Sequence, residues 1–112
     1  MQNDFLQSEH YRELEDRYRV LKEELAGIGW LTDGSVTPNH PGSWRWTRKA
    51  KAKTVTVSLS EEQAGLFKTA IGNHRRLESI LLEMRAISQE VLLNSAAGVR
   101  KKASSKTIPK RP

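Results

Sequence analysis

Apolar residues change their spacing twice along this chain, and this change most narrows the folds that the chain can adopt. From Tyr11 to Ile28 they recur every three or four residues, which predicts an amphipathic helix. Between Trp44 and Val57 they alternate with polar residues, which predicts strands. The helical spacing returns after Ser60. The sequence therefore predicts an α+β fold, mostly α, in which a small antiparallel sheet is inserted between two helices.

The first helix is predicted from a heptad pattern. Its apolar positions are Tyr11, Leu14, Tyr18, Leu21, Leu25 and Ile28. Opposite charges four residues apart, such as Glu13 and Arg17, predict weak ion pairs on its other faces. Gly27 and Gly29 are expected to end the helix, because glycine readily takes the left-handed conformation found at many helix C-termini.

The second helix is predicted to begin after Ser60 and to run to about Asn94. The Ser60 hydroxyl and the Gln63 side chain can form a capping box there. The helix is apolar over a broad stripe, at Leu66, Phe67, Ala70, Ile71, Leu77, Ile80, Leu81, Met84, Ile87, Val91, Leu92 and Leu93. An apolar stripe of that width needs two packing partners to bury it. The first helix is one of them, and the sheet or a second copy of the chain is the other.

Two pairings are expected from these stripes. The helices should run antiparallel as a coiled-coil-like hairpin. The residues expected to meet across it are Leu14, Tyr18, Leu21 and Leu25 on one side and Leu77, Leu81 and Met84 on the other. A homodimer through the second helix is also expected, with Ile80 or Ile87 near the contact.

The sheet is predicted to have two or three strands. The alternating segments are Trp44, Arg45, Trp46 and Thr47, then Thr54, Val55, Thr56, Val57 and Ser58. The turn between these strands is expected within residues 48–53. Asp33 and Gly34 are expected to form a tight turn between residues 30–32 and a short strand at 35–37. Residues 38–42, Pro-Asn-His-Pro-Gly, are expected to form an irregular linker.

Several of these segments resemble a family of short bacterial proteins catalogued as a domain of unknown function. The resemblance rests on residues 34–36, 44–49, 53–60, 70–77 and 83–88, and it spans about residues 11 to 93. It implies a helix, a small sheet and a helix, and a bacterial origin, with no established activity. Many relatives carry closely spaced cysteines after the first strand, whereas this chain has Pro38 to Gly42 there and no cysteine at all. The resemblance therefore carries no metal or redox role over to this chain.

Positive charge is concentrated in two regions. Six of the nineteen Lys and Arg are Arg100, Lys101, Lys102, Lys106, Lys110 and Arg111. Five more, Arg45, Arg48, Lys49, Lys51 and Lys53, lie between residues 34 and 60, a stretch without Asp or Glu. We expect one helix–β-hairpin–helix domain, residues 1–97, followed by a disordered basic tail, residues 98–112.

This layout favours a polyanionic partner, because Coulombic attraction supplies most non-specific affinity for nucleic acids. The sequence predicts a non-enzymatic accessory protein that binds DNA or RNA through these two basic regions. Arg45 and Thr47 are expected to point outward with Thr54 and Thr56 as a positive, hydroxyl-bearing face. An equal alternative is that the bases protect an exposed sheet edge. The alternative function is a helical interaction or oligomerisation module whose charges serve solubility.

Other classes of function have little support in the sequence. His10, His40 and His74 are isolated, and no nucleotide-binding or hydrolase motif occurs. No enzyme activity, metal site or cofactor is therefore predicted. The lack of cysteine is compatible with a reducing cytoplasm, where the protein is expected to act. No long apolar run occurs, so neither a membrane-spanning helix nor a standard secretion signal is predicted.

Overall fold

The computed structural model describes residues 4–99 and has the predicted order of helix, sheet and helix. A short 3-10 helix, Asp4–Gln7, precedes the rest. The elements that follow are α1 (Glu9–Ala26), β1 (Ser35–His40), β2 (Ser43–Ala50), β3 (Lys53–Ser60) and α2 (Glu61–Asn94). The prediction of an α+β fold with a small antiparallel sheet between two helices is confirmed, and of the two strand numbers expected the structure has three. The predicted tail begins at residue 98, and residues 100–112 lie outside the described part of the chain.

The sheet has the strand order β1-β2-β3, so β2 is central and the other two strands are edges. The turn between β2 and β3 consists of Lys51 and Ala52, within the predicted segment. Both residues have positive φ, 52° and 65°, which is the conformation of a type I′ hairpin turn. Such a turn matches the right-handed twist of its strands, and it places Ala50 directly opposite Lys53.

The predicted irregular linker at residues 38–42 is wrong for its first three residues. Pro38 and His40 belong to β1, and only Pro41 and Gly42 form the turn into β2. Proline has no N–H for a sheet, but an edge strand tolerates it where the N–H would face solvent. The register between β1 and β2 shifts between Pro38 and His40, so the edge is also irregular at that point.

Residues 30–32 form no regular element, and β1 begins at Ser35, directly after the turn expected at Asp33 and Gly34. Polar contacts to α2 hold residues 30–32 instead. The Thr32 N–H donates to the Ala70 carbonyl at 3.2 Å. The Asn73 side-chain amide donates to the Trp30 carbonyl at 2.9 Å. The connection from α1 to β1 is therefore attached to the first half of α2.

α2 has 34 residues and is about 51 Å long, which is enough to contact two different partners. Its first turns pack on the sheet, where Ala64 and Ile71 are buried and the Phe67 ring lies 4.8 Å from the Trp46 ring. Its second half packs on α1. The first helix and the sheet thus both pack on the stripe, as one of the two expected alternatives had it, but Leu66, Leu82, Leu92 and Leu93 remain exposed.

The core between the helices is built around Leu21 and Ile80, both of which are completely buried, and Ile87. The partly buried residues around them are Leu14, Tyr18, Leu25, Ile28, Met84 and Val91. The expectation that Leu81 faces α1 is wrong, because its neighbour Ile80 takes that place and Leu81 is exposed. Ile80 and Ile87 are consequently not available for the expected homodimer contact.

Three ion pairs join the helices at intervals of seven residues. His10 Nε2 lies 2.6 Å from Glu90 Oε2. Arg17 donates two hydrogen bonds to the Glu83 carboxylate at 2.6 and 2.9 Å. Arg76 donates two to the Glu24 carboxylate at 2.5 and 2.6 Å. Early α1 residues thus meet late α2 residues, so the helices pack antiparallel.

These pairs differ from the local pairs expected within α1. Arg17 binds Glu83 across the helix boundary and not Glu13 on its own helix. Arg19 binds Asp16, three residues earlier. The helix ends also differ in one detail, since Gly27 ends α1 with φ −92°, in the right-handed region. The capping box of Ser60 and Gln63 is confirmed, with both of its hydrogen bonds present.

Acid is expected to loosen the helix pair. The hydrogen bonds from Arg17 hold the pKa of the Glu83 carboxyl below its ordinary value, and those from Arg76 do the same for Glu24. A carboxyl with a lowered pKa in the folded state stabilises the fold above its unfolded pKa, about 4.3, and this stabilisation is lost as the pH falls through the folded value. The urea midpoint should therefore decrease between pH 6 and pH 3.

The matched variant for this measurement is Glu83→Gln, which keeps the size of the side chain and removes its titration. It should show a smaller decrease of the urea midpoint over the same pH range than the original chain. An unchanged pH dependence in this variant would mean that the Arg17–Glu83 pair does not contribute to stability, which is a common outcome for exposed ion pairs.

Candidate nucleic-acid interface

The sheet has two chemically different faces, and the strand register assigns residues to them. Residues directly opposite each other in antiparallel strands share a face, and successive residues of one strand alternate between faces. Trp46 lies between Val36 and Val57, and Trp44 is opposite Leu59. The ring contact between Trp46 and Phe67 places this apolar face against α2.

The opposite face, which we call the hydroxyl face, is formed by the alternate residues. Its members are Ser35 and Thr37 of β1, Arg45, Thr47 and Lys49 of β2, and Thr54, Thr56 and Ser58 of β3. Seven of these eight are exposed, and Thr47 is half-buried. The Thr47 and Thr56 hydroxyl oxygens lie 3.5 Å apart, as expected for neighbours on one face. No described helix packs there.

The charge of the hydroxyl face is positive and uncompensated. Arg45 lies on the central strand between Thr37 and Ser58, and Lys49 is opposite Thr54. Residues 34–60 contain no Asp or Glu, and within residues 4–99 neither base forms an ion pair. Four residues of strand separate them by about 13 Å, so they can contact different phosphate groups of one nucleic-acid backbone.

The sequence-predicted basic residues do not all lie on this face. Arg48 lies on the apolar face, with its guanidinium carbon 5.2 Å from the centre of the Trp46 ring. Its Nε atom is buried and has no hydrogen-bond partner in the part of the chain that the structure describes. Lys51 is in the hairpin turn, and Lys53 is exposed at the start of β3 on the side of Arg48. The structure therefore brings Arg45 and Lys49 together and separates Arg48 from them.

The remaining predicted contacts, Arg100, Lys101, Lys102, Lys106, Lys110 and Arg111, lie outside the described residues.

The tryptophans of β2 serve the core of the small sheet. The Trp46 indole N–H donates to the Asp33 carbonyl at 2.8 Å, and its ring contacts Phe67. The Lys68 ammonium lies 4.1 Å from the centre of the Trp44 ring, a cation–π contact. Sequence reasoning missed Lys68, because a contact between a helix and a distant strand leaves no local signal. The half-buried Trp44 and Trp46 are therefore poorly placed to stack on nucleobases.

Two grooves lie away from the hydroxyl face. One, of about 680 Å³, is lined by Trp30 and Leu31 on one side and by Leu66 and Phe67 on the other. The other, of about 520 Å³, lies between α1 and α2 near Tyr18 and Ile87. The exposure of Trp30 in the first groove was not predicted from the sequence, which placed residues 30–32 beside a strand.

Comparisons with known proteins give no basis for assigning a function. No protein-family model, no curated protein and no solved structure matches the chain. The described part of the chain contains no helix of the length and apolar character that a membrane span requires. Among residues 4–99 no three His, Asp or Glu side chains are grouped in a way that could hold a metal ion.

Proposed function

We propose that this protein binds nucleic acid as a non-enzymatic accessory factor of the cytoplasm, and that the hydroxyl face of its sheet contacts the phosphate backbone. One observation carries the proposal: residues 4–99 leave unpacked a whole sheet face of hydroxyls and two bases, without a carboxylate. The basic residues of the tail add attraction that does not depend on sequence. Domain and tail would then act together on one strand or duplex.

The chemistry of the hydroxyl face fits phosphate oxygens. The Arg45 guanidinium can donate two hydrogen bonds to one phosphate, Lys49 supplies a compact charge, and serine and threonine hydroxyls donate further bonds. Contacts of this kind position a backbone and carry no base recognition. We therefore expect little discrimination among sequences. Lys51 in the turn can extend the same positive surface.

The position of Arg45 and Lys49 in the sheet favours a binding role for them over protection of a sheet edge. A charge that prevents unwanted strand pairing is useful on an edge strand. Arg45 and Lys49 lie on β2, which is hydrogen-bonded on both sides. They therefore protect no edge, and their charges remain available to a partner.

Neutralising the two bases tests the proposal. The double variant Arg45→Gln, Lys49→Gln should weaken binding to duplex and single-stranded probes by about tenfold or more near physiological salt, because two charge-assisted contacts are lost. The slope of log affinity against log salt should become less steep by about 2 units on duplex DNA. Fluorescence anisotropy with labelled probes at several salt concentrations measures both quantities.

The control is Arg12→Gln, Arg85→Gln, which removes the same charge from exposed positions on the helices. It should reduce affinity much less. Equal losses in both double variants would mean that overall charge, and not the hydroxyl face, drives binding. Deleting residues 98–112 should weaken binding to every probe alike. Binding that persists after both the face variant and the deletion would refute the nucleic-acid proposal.

A second candidate function is a helical interaction module, in which α1 and α2 form a coiled-coil-like hairpin. The ion pairs at intervals of seven residues support this geometry. Leu82, Leu92 and Leu93 of α2 support an interaction role, because they are 64, 72 and 78 % exposed. If this reading is right, replacing these leucines with serine changes the oligomeric state and leaves probe binding unaltered.

A further inference from the structure

The two edges of the sheet are unequally protected against pairing with another strand. On β1, Pro38 removes one backbone donor and the register shift near His40 interrupts the strand. β3, Lys53–Ser60, has eight residues without proline, glycine or a bulge, and its only charge is at its first position. Within residues 4–99 no strand pairs with its outer side. β3 is therefore an open edge.

The backbone groups that face outward from β3 follow from the hairpin geometry. In a two-residue turn the flanking residues, here Ala50 and Lys53, form a hydrogen-bonded pair, and such pairs recur at every second position. Lys53, Val55, Val57 and Leu59 consequently bond to β2. The N–H and C=O groups of Thr54, Thr56 and Ser58 face away from the sheet, ready to pair with another strand.

α2 leaves this edge open. It begins beside the end of β3 at Glu61, and its next turns contact Trp44 and Trp46 of β2. The following turn reaches Thr32, just before β1, through the Ala70 carbonyl. The helix therefore crosses under the sheet away from β3, and it leaves Val57 41 % exposed at the edge.

We propose that β3 pairs antiparallel with β3 of a second copy of this chain, with Val57 opposite Val57 on the twofold axis. Hydrogen bonds between two β3 strands can join only residues whose backbone groups point outward, and all of these residues lie on the hydroxyl face. Every antiparallel pairing of two β3 strands therefore places the two hydroxyl faces side by side. The proposed register places Thr56 opposite Ser58, so the outward N–H and C=O groups of both residues find partners. Thr54 lies opposite Ser60, whose N–H already donates to the Gln63 side chain at the start of α2. The register also covers the exposed Val57.

Charge complementarity selects a second copy as the occupant. In this register Lys53 of each chain lies beside the first turn of α2 of the other chain, which begins with Glu61 and Glu62. These are the charged residues nearest the two ends of β3. An antiparallel pairing about a twofold axis places the basic end of each strand beside the acidic end of the other strand. A parallel pairing would place like charges together.

The result is a six-stranded sheet in which two hydroxyl faces form one continuous surface. Arg45 and Lys49 would then be present twice on the same side. The pairing itself does not depend on nucleic-acid binding, and it is tested without nucleic acid. It also differs from a dimer through α2, because the strands and not the leucines of the helix form the contact.

A single cysteine tests the register directly, since the chain has none of its own. Val57→Cys should form an intermolecular disulfide under mild oxidation, because opposed residues on a twofold axis bring their side chains close enough. The matched control is Val36→Cys, which flanks Trp46 on the opposite edge of the sheet. It should form far less dimer at the same protein concentration.

Sedimentation of the full chain at about 10 to 200 µM provides the second measurement, in the affinity range expected for a small interface. The chain should dimerise, and Thr56→Pro should make it monomeric, because the Thr56 N–H faces outward and no backbone hydrogen bond within the chain is lost. If that variant fails to fold, the disulfide comparison alone decides. A monomer throughout this range, equal crosslinking of both cysteine variants, or a dimer lost only when Leu82 and Leu92 are changed to serine would overturn the proposal.

Discussion

Replacing Ile80 with alanine is expected to lower the free energy of unfolding by about 2 to 5 kcal/mol, the usual range for removing a large aliphatic side chain from a core. Ile80 is 0 % exposed and packs with Leu21 and Ile87 at the centre of the helix pair. Since α1 and α2 are joined by a thin layer of side chains, little structure is available to relax into the cavity. Urea denaturation followed by circular dichroism measures the loss.

The neighbouring residue is the control. Leu81 is 39 % exposed, although it is as apolar as Ile80 and adjacent in sequence. Leu81→Ala should cost about 1 kcal/mol, clearly less than Ile80→Ala, because Leu81 is only partly removed from water and its truncation leaves no closed cavity. Equal losses at the two positions would show that the face of α2 assigned to α1 is wrong.

Gly34→Ala is expected to be as damaging as the core substitution, at about 3 kcal/mol or more. Gly34 has φ +94°, where a side chain is strained, and an added Cβ would lie 2.5 Å from the Thr47 carbonyl oxygen and 2.8 Å from Trp46 Nε1. The backbone at Thr47 cannot move without disturbing the pairing of β1 with β2. The Asp33 carbonyl that receives the Trp46 N–H would also shift.

Gly42 separates strain from crowding. It has φ +76°, but an added Cβ would meet nothing within 4 Å. Gly42→Ala should therefore cost only the conformational strain, about 1 kcal/mol. The difference between the two variants, measured as thermal or urea midpoints, reports the close approach of Gly34 to β2. Similar midpoints for both would mean that Gly34 has room for a side chain.

Much of the hydroxyl face was predictable from strand alternation alone. Arg45 and Thr47 alternate with Trp44 and Trp46, and this pattern separates the two faces correctly. The same alternation places Arg48 on the face of the tryptophans. The sequence pattern therefore already separates Arg48 from Arg45, although the prediction treated all five bases as one site. Ser35 and Thr37 could not be added to the face from the sequence, because their place depends on the register of β1 against β2.

Local features of the fold follow from the order of the residues alone: the positions of both helices, the capping box at Ser60, and the turn that includes Lys51. These depend on side-chain spacing and on bonds between residues near each other in the chain. Burial and ion pairing between distant segments depend on the tertiary structure. Ile80 and Leu81 are both apolar on a broad stripe, and only the approach of α1 buries one of them. Arg17 pairs with Glu83 and not with Glu13 because the packing of α1 on α2 brings Glu83 within reach. Pro38 became part of a strand because β1 lies at an edge, where a missing N–H costs the sheet nothing.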